Sequence, residues 1–145
     1  STTVLENVRH KTNKGEIMII IGHPWIKSNR FFKVFSTKGI EKSQADDVVL
    51  LGPFVDSDEL AMHCQENSVP YAVVVNNLDD ALFANALGAK YMICEEDDAL
   101  MIQPIANEYL FDTRILVLIH SEKEISKIAR GGVDGVIFAD AIYEN

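Results

Sequence analysis

Five polar residues stand where this chain could do chemistry: His23, Asn76, Glu95, His120 and Asp140, each at or just beyond the end of an apolar run. An imidazole titrates near neutrality, so His23 and His120 are candidate general bases. Glu95 can assist His120 if their strands are neighbours, and Asp140 can orient the imidazole, which is the division of roles that acid–base catalysis needs. The run Glu95-Glu96-Asp97-Asp98 offers oxygen ligands to a hard divalent cation. Each of these residues also has a structural use. A histidine at a core edge is commonly a hydrogen-bonded one, Asn77 and Ser121 suit helix caps, and acids ahead of a helix are favoured by its dipole. Trp25, following Pro24, can stack on a ligand or a partner, or seal the edge of a core.

Stronger signals are missing. No glycine-rich phosphate loop follows a strand, and the chain holds no Walker lysine, Gly-x-Ser-x-Gly elbow, Cys-x-x-Cys pair or paired-histidine zinc spacing. The reading therefore expects no metal and no cofactor. Cys64 and Cys94 have no partner at ligand spacing and read as reduced structural thiols. A redox role needs a lowered thiol pKa, and the acids that follow Cys94 push the other way.

The elements that must position these groups alternate. A strand at 16–21 closes at Gly22-His23-Pro24, and a second at 30–36 carries Phe31, Phe32, Val34 and Phe35. Its interspersed lysine suggests a sheet edge. Residues 38–44 make at most a short helix. From residue 46 the pattern becomes regular. Strands at 47–51, 70–75, 91–94, 115–119 and 135–138 alternate with helices at 58–67, 78–87, 98–111 and 122–130. Gly52-Pro53 should stop the first of these strands, Asp56 or Ser57 should cap the helix that follows, and Asp56 with Glu59 has capping-box spacing, as does Ser121 with Glu124. Pro104 should kink or divide its helix. Strands with continuous Val, Ile and Leu runs fit a sheet buried on both faces, and helices of about three turns suit right-handed parallel crossovers. The expected fold is α/β, a mostly parallel sheet of five to six strands flanked by helices, either flavodoxin-like or Rossmann-like or a partial TIM-barrel-like arrangement. In such sheets ligands bind beyond the strand C-termini, so the five polar residues form a candidate rim.

Residues 69–97 align without gaps onto 113–141, an offset of 44. Tyr71 falls on Ile115, Gly88 on Gly132, and Met92-Ile93 on Val136-Ile137. Each copy reads strand, helix, glycine stop, strand, and each glycine should take the left-handed conformation that ends a helix.

Composition sets the class. At 145 residues and 48% apolar content, one domain (1–145) with its own core is expected, preceded at 1–15 by a tail or a short docking helix over Val4, Leu5 and Val8. No apolar stretch approaches the roughly 20 residues of a membrane span, and no signal region opens the chain, which points to the cytoplasm. The net charge of −9 is uneven. Residues 1–45 carry eight basic and three acidic residues, or +5, leaving −14 for the rest. An acidic body disfavours nucleic acid, whereas a basic first third can meet an acidic partner or a second copy.

The cadence Arg130-Gly131-Gly132-Val133-Asp134-Gly135-Val136-Ile137 resembles the last two βα units of phosphate-binding TIM barrels, including the sugar-phosphate aldolases and epimerases, with the similarity covering 114–142 and extending loosely back to residue 46. That resemblance implies parallel βα packing. The phosphate-gripping glycines of those families are replaced here, by His120-Ser121 at one strand end and by Ala139-Asp140 at the next, where a carboxylate would repel phosphate. Residues 45–54 and 69–93 likewise resemble receiver domains. In that register Gly52 takes the place of the acceptor aspartate, the hydroxyl residue is replaced near Val75 or Asn76, and the lysine near Cys94 or Glu95. Gly22-His23 stands where the acidic pair would be. The shared βα pattern speaks to fold, not to a reaction.

Two readings follow. The first is a non-catalytic binding or regulatory module acting through a protein partner or self-association. The second is a small enzyme or ligand-binding domain for a polar metabolite at the rim of His23, Asn76, Glu95, His120 and Asp140.

Overall fold

β-Branched and aliphatic runs become strands, and the segments between them, capped by Ser, Asn and Glu, become helices. The structure, a computed structural model, describes residues 16–144, so the predicted tail or docking helix at 1–15 lies outside it. The order is β1 (Ile19–Ile21), β2 (Phe31–Lys33), α1 (Thr37–Glu41), β3 (Val48–Pro53), α2 (Asp58–Glu66), β4 (Tyr71–Val74) and α3 (Leu78–Ala86). It continues with β5 (Tyr91–Cys94), α4 (Glu96–Glu108), β6 (Arg114–Ile119), α5 (Ile125–Arg130), β7 (Gly135–Phe138) and β8 (Ile142–Glu144).

All eight strands are parallel and lie in the order β1-β7-β6-β5-β4-β3-β2-β8. Chain length then dictates the shape. β7 is second in the order and β8 last, yet only the 3₁₀ turn Ala139–Ala141 separates them. Four Cα steps reach at most about 15 Å, whereas six strand spacings in a flat sheet span about 29 Å. The sheet must curl until its ends approach. Phe31 on β2 and Tyr91 on β5, three places apart, accordingly have ring centroids 5.5 Å apart.

The curl gives the two faces different partners. The inner face packs on itself: Ile21, Phe31, Val48, Leu50, Ala72, Ile93, Leu116 and Ile137 form one buried cluster that draws no residue from an α-helix. The outer face (Val49, Leu51, Val73, Met92, Ile115, Val117, Val136) packs on the helices through Ala61, Ala81, Ala84, Ala99, Ala106 and Ile102. Small alanines let the helix backbones lie close to the sheet, and each fully buried aliphatic contributes roughly 1.5–3 kcal/mol. β1 lies unusually close to β7. A Cβ on Gly135 would sit 2.3 Å from the Ile19 carbonyl oxygen, so only glycine fits there.

Helix ends follow local chemistry. Asn77 Oδ1 accepts from the Asp80 N–H at 2.8 Å, and the Ser121–Glu124 capping box forms as expected. Gly88 and Gly132 take φ of +77° and +78°, as anticipated; Ser68 and Leu110 occupy equivalent helix-terminal positions at +55° and +53°. Beyond three of these, Val69, Ala89 and Phe111 donate back to Cys64, Ala84 and Ala106, closing the orphan carbonyls.

Several expectations are corrected. The sheet has eight strands rather than five to six, because the chain beyond Phe138 resumes as β8 after one turn. The segment expected at an edge, β2, lies between β3 and β8. β3 runs on to Pro53 through a register shift after Leu50, so Gly52-Pro53 does not stop it. Asp56 belongs to a 3₁₀ turn, and Ser57 caps α2 without a side-chain bond, so the Asp56–Glu59 box is not made. α4 is one continuous helix through Pro104 rather than two pieces. Pro104 and Leu100 are both exposed, which leaves the freed Leu100 carbonyl on the solvent side.

At the strand N-termini, Asp134 accepts from the Ile115 N–H (3.0 Å) and from Gln103 Nε2 (3.1 Å), while Gln103 Oε1 accepts from the Asp134 N–H. Burial raises the Asp134 pKa despite these bonds. Arg30 grips Asp47 with two bonds of 2.9 and 2.7 Å, which hold that carboxyl below its usual range.

Candidate functional site

The C-terminal ends of the strands form the candidate site. β1 closes at Gly22, whose φ of +93° and whose approach to Ala141 and Phe138 turn the chain toward the rim and deliver His23. The Trp25 N–H donates to His23 Nδ1 at 3.1 Å, so that nitrogen carries no proton. The proton lies on Nε2, which donates to Glu122 Oε2 at 2.9 Å. The ring also packs edge-on to Trp25 and against Phe138. Both nitrogens of His23 are therefore engaged, one by backbone and one by carboxylate.

His120 follows β6 and is exposed; its backbone N–H donates to Glu124 Oε2 at 3.1 Å. Asp140 sits exposed in the turn between β7 and β8. His23, His120 and Asp140 share one open pocket of about 370 Å³ with Ser121, Glu122 and Phe138. A neighbouring hollow of about 460 Å³ shares His23 and Asp140 and adds Lys27, Ser28, Arg30 and Tyr143. Asn76 and Glu95 lie elsewhere on the rim, after β4 and β5. Asn76 Oδ1 accepts from Asn77 Nδ2 at 3.0 Å, and Glu95 stands at the N-cap of α4 without a side-chain capping bond. β5 and β6 are neighbours, yet Glu95, His120 and Asp140 make no hydrogen bond or ion pair with one another.

Among the described residues no group of three or more His, Cys, Asp and Glu side chains is placed to hold a metal ion. Cys64 and Cys94 are buried and unpaired. Burial pushes their thiols up to about 11 and about 12, with Asp98 adding to the rise at Cys94. Of the acids after Cys94, Asp98 thus acts in the expected direction, but burial is the larger cause. No helix among the described residues is long and apolar enough to cross a membrane.

Two features of the rim escape a reading of the sequence. Glu122, the partner of His23, is 99 residues away and meets it only because β1 pairs with β7. The rim also exposes large apolar side chains: Phe35 after β2 at 76%, Val55 after β3 at 72%, and Phe83 on α3 at 60%, the last stacked on Phe54. Charges of both signs accompany them in two arcs. Lys27, Lys33 and Lys38 stand on the β1–β2 side, and the first turns of α2, α3 and α4 carry Asp58, Glu59, Asp79, Asp80, Glu96, Asp97 and Asp98. Searched against models of protein families and against curated proteins, the chain matches none.

Proposed function

We propose that this chain is a non-catalytic, cytoplasmic binding module that self-associates through the C-terminal rim of its curled sheet. The exposed Phe35, Val55 and Phe83, accompanied by lysines around β1 and β2 and by acids in the first turns of α2, α3 and α4, carry this reading. Exposed large apolar side chains suit an interaction surface, and charges of both signs beside them suit a second copy turned through a two-fold. The engagement of both His23 nitrogens, and the lack of a hydrogen bond or ion pair from His120 to Glu95 or Asp140, support binding rather than acid–base chemistry. Buried, unpaired thiols suit a reducing compartment, and the acidic body suits a protein partner better than nucleic acid. Helices on one face only support the partial TIM-barrel likeness over a doubly wound sheet, which carries helices on both.

The convergence of His23, His120 and Asp140 on one pocket favours a second reading, a polar-metabolite site. A thermal-shift screen with a polar-metabolite library separates the two, because a ligand that binds only the native state raises its stability. The binding-module reading expects no hit whose effect depends on the rim. A stabilising metabolite whose effect disappears in His120→Ala and Asp140→Asn would replace it with the second reading.

A further inference from the structure

The turn after β1 is closed by the one nitrogen of His23 that acid would protonate. Pro24 has no N–H, so the first backbone donor beyond His23 is that of Trp25, which donates to His23 Nδ1 at 3.1 Å. The Ile26 N–H closes the same turn on the His23 carbonyl at 3.0 Å. On the other side of the ring, Nε2 donates to Glu122 Oε2 at 2.9 Å. The imidazole is only 12% exposed, so a partner lost inside the turn is not readily replaced by water. Trp25, by contrast, is 89% exposed and meets the His23 ring edge-on at a centroid distance of 5.0 Å. Trp25 lines two hollows, one of about 370 Å³ with His120, Ser121 and Asp140, and one of about 530 Å³ with Ile20, Ile26 and Ile125.

We propose that protonation of His23 opens the turn at 23–26 and moves Trp25 relative to both hollows, a pH switch built into the β1–β2 connection. The switch is a matter of donors and acceptors. Neutral His23 has one acceptor nitrogen, and the Trp25 amide uses it. Imidazolium has two N–H donors and no acceptor, so Nδ1–H and the Trp25 N–H would face each other across 3.1 Å. One of them must leave. Glu122 decides which, because its bond from Nε2–H becomes charge-assisted and stronger once the ring is cationic. The ring stays, and the backbone turn opens. Little opposes that movement, since Trp25 is held by little packing of its own. The charged groups around the ring come from four elements. The turn after β6 supplies His120, Glu122 and Lys123, the turn after β7 supplies Asp140, β8 supplies Tyr143, and the β1–β2 connection supplies Lys27 and Arg30. Arg30 is neutralised by Asp47, and of these groups only Glu122 bonds to the ring among the described residues.

NMR of the isotope-labelled full chain from about pH 8 to about pH 5, the interval in which a histidine changes charge, is the test. At the upper end His23 should show the Nε2–H tautomer, with the Trp25 amide proton shifted downfield by its bond. As the ring gains a proton, the Trp25 amide should move upfield with the same midpoint, while Ile19–Ile21 keep their strand shifts. His23→Asn keeps an acceptor for the N–H two residues on but cannot titrate, so its Trp25 amide should be insensitive to pH. His120→Ala should retain the full transition. The inference is overturned if neutral His23 carries its proton on Nδ1, if the ring does not titrate in this interval, or if it titrates while the Trp25 amide stays in place. It is also overturned if His23→Asn shows the wild-type transition or His120→Ala abolishes it. The wild-type spectra decide the first three outcomes even where a variant fails to fold. None of these outcomes depends on the rim reading, which involves Phe35, Val55 and Phe83.

Discussion

Gly135→Ala tests the attachment of β1, the end strand of the curled sheet that builds the His23 end of the rim. The added Cβ would meet the Ile19 carbonyl oxygen at 2.3 Å and the Ile19 Cβ at 2.6 Å. An ordinary carbon–oxygen contact is about 3.3 Å, so β1 must retreat by roughly 1 Å. The ladder cannot stretch that far, because a bond such as Ile19 N–H to the Asp134 carbonyl, at 3.0 Å, would pass the useful limit. Overpacking typically costs about 1–3 kcal/mol, and the obstacle here is backbone rather than a movable side chain, so about 3 kcal/mol is expected. Gly132→Ala is the matched control. Nothing lies within 4 Å of its Cβ position, but φ is +78°, so the cost is backbone strain alone, about 1 kcal/mol. Urea unfolding with native-state hydrogen exchange measures both. Gly135→Ala should lose stability by the larger amount and lose protection at Ile19–Ile21, while Gly132→Ala keeps that protection. A Gly135→Ala protein no less stable than Gly132→Ala, with unchanged exchange in β1, would refute the close approach of β1 to β7.

Ser68 is exposed at φ +55°, a conformation that costs an L-residue roughly 1–2 kcal/mol. Ser68→Gly should therefore stabilise by about 0.5–1 kcal/mol after the extra unfolded-state entropy of glycine is deducted; equal or lower stability in urea would show that the strain is absent. Two buried carboxylates should act oppositely on the acid limb of stability. Asp47 has a lowered folded-state pKa through its bonds from Arg30, so its contribution is present above its unfolded pKa and is lost as pH falls through the folded one. Asp134 has a raised folded-state pKa through burial, so its contribution is present below its unfolded pKa and is lost as pH rises through the folded one. Asp47→Asn should flatten the loss of stability on acidification and Asp134→Asn should steepen it, as read from unfolding curves across the acid range; the reverse pair of slopes would refute the assignment.

The fold was more legible than the site. Runs such as Ile115–Ile119 with continuous β-branched and aliphatic character announce strands buried on both faces, and the stops at Gly88 and Gly132 announce helix ends, because each signal is local. β8 was hidden because Ile142–Glu144 is a three-residue strand only one turn from β7, with two of its three residues exposed. The curl was hidden for a different reason: a continuous apolar run is required whether the second face is covered by helices or by the sheet itself. Asp56 has the right spacing for a capping box, but the bend at Phe54 drew it into a 3₁₀ turn first. His23, His120 and Asp140 were legible as a rim because strand ends are polar in any parallel sheet. Their roles were not legible, since the group that engages His23 lies 99 residues away. The exposed apolar side chains were not legible because Phe35 reads as part of a strand and Val55 as loop, whereas β2 ends at Lys33 and β3 at Pro53, which leaves both beyond strand ends.

Sedimentation equilibrium of the full chain over a wide dilution series, beside Phe35→Asp and Phe83→Asp, tests the rim most directly. The account predicts a reversible dimer that weakens as salt screens the two charged arcs and that each substitution abolishes while the fold is retained. A wild-type protein that remains monomeric at the highest concentration, or a dimer that both substitutions leave intact, would contradict it.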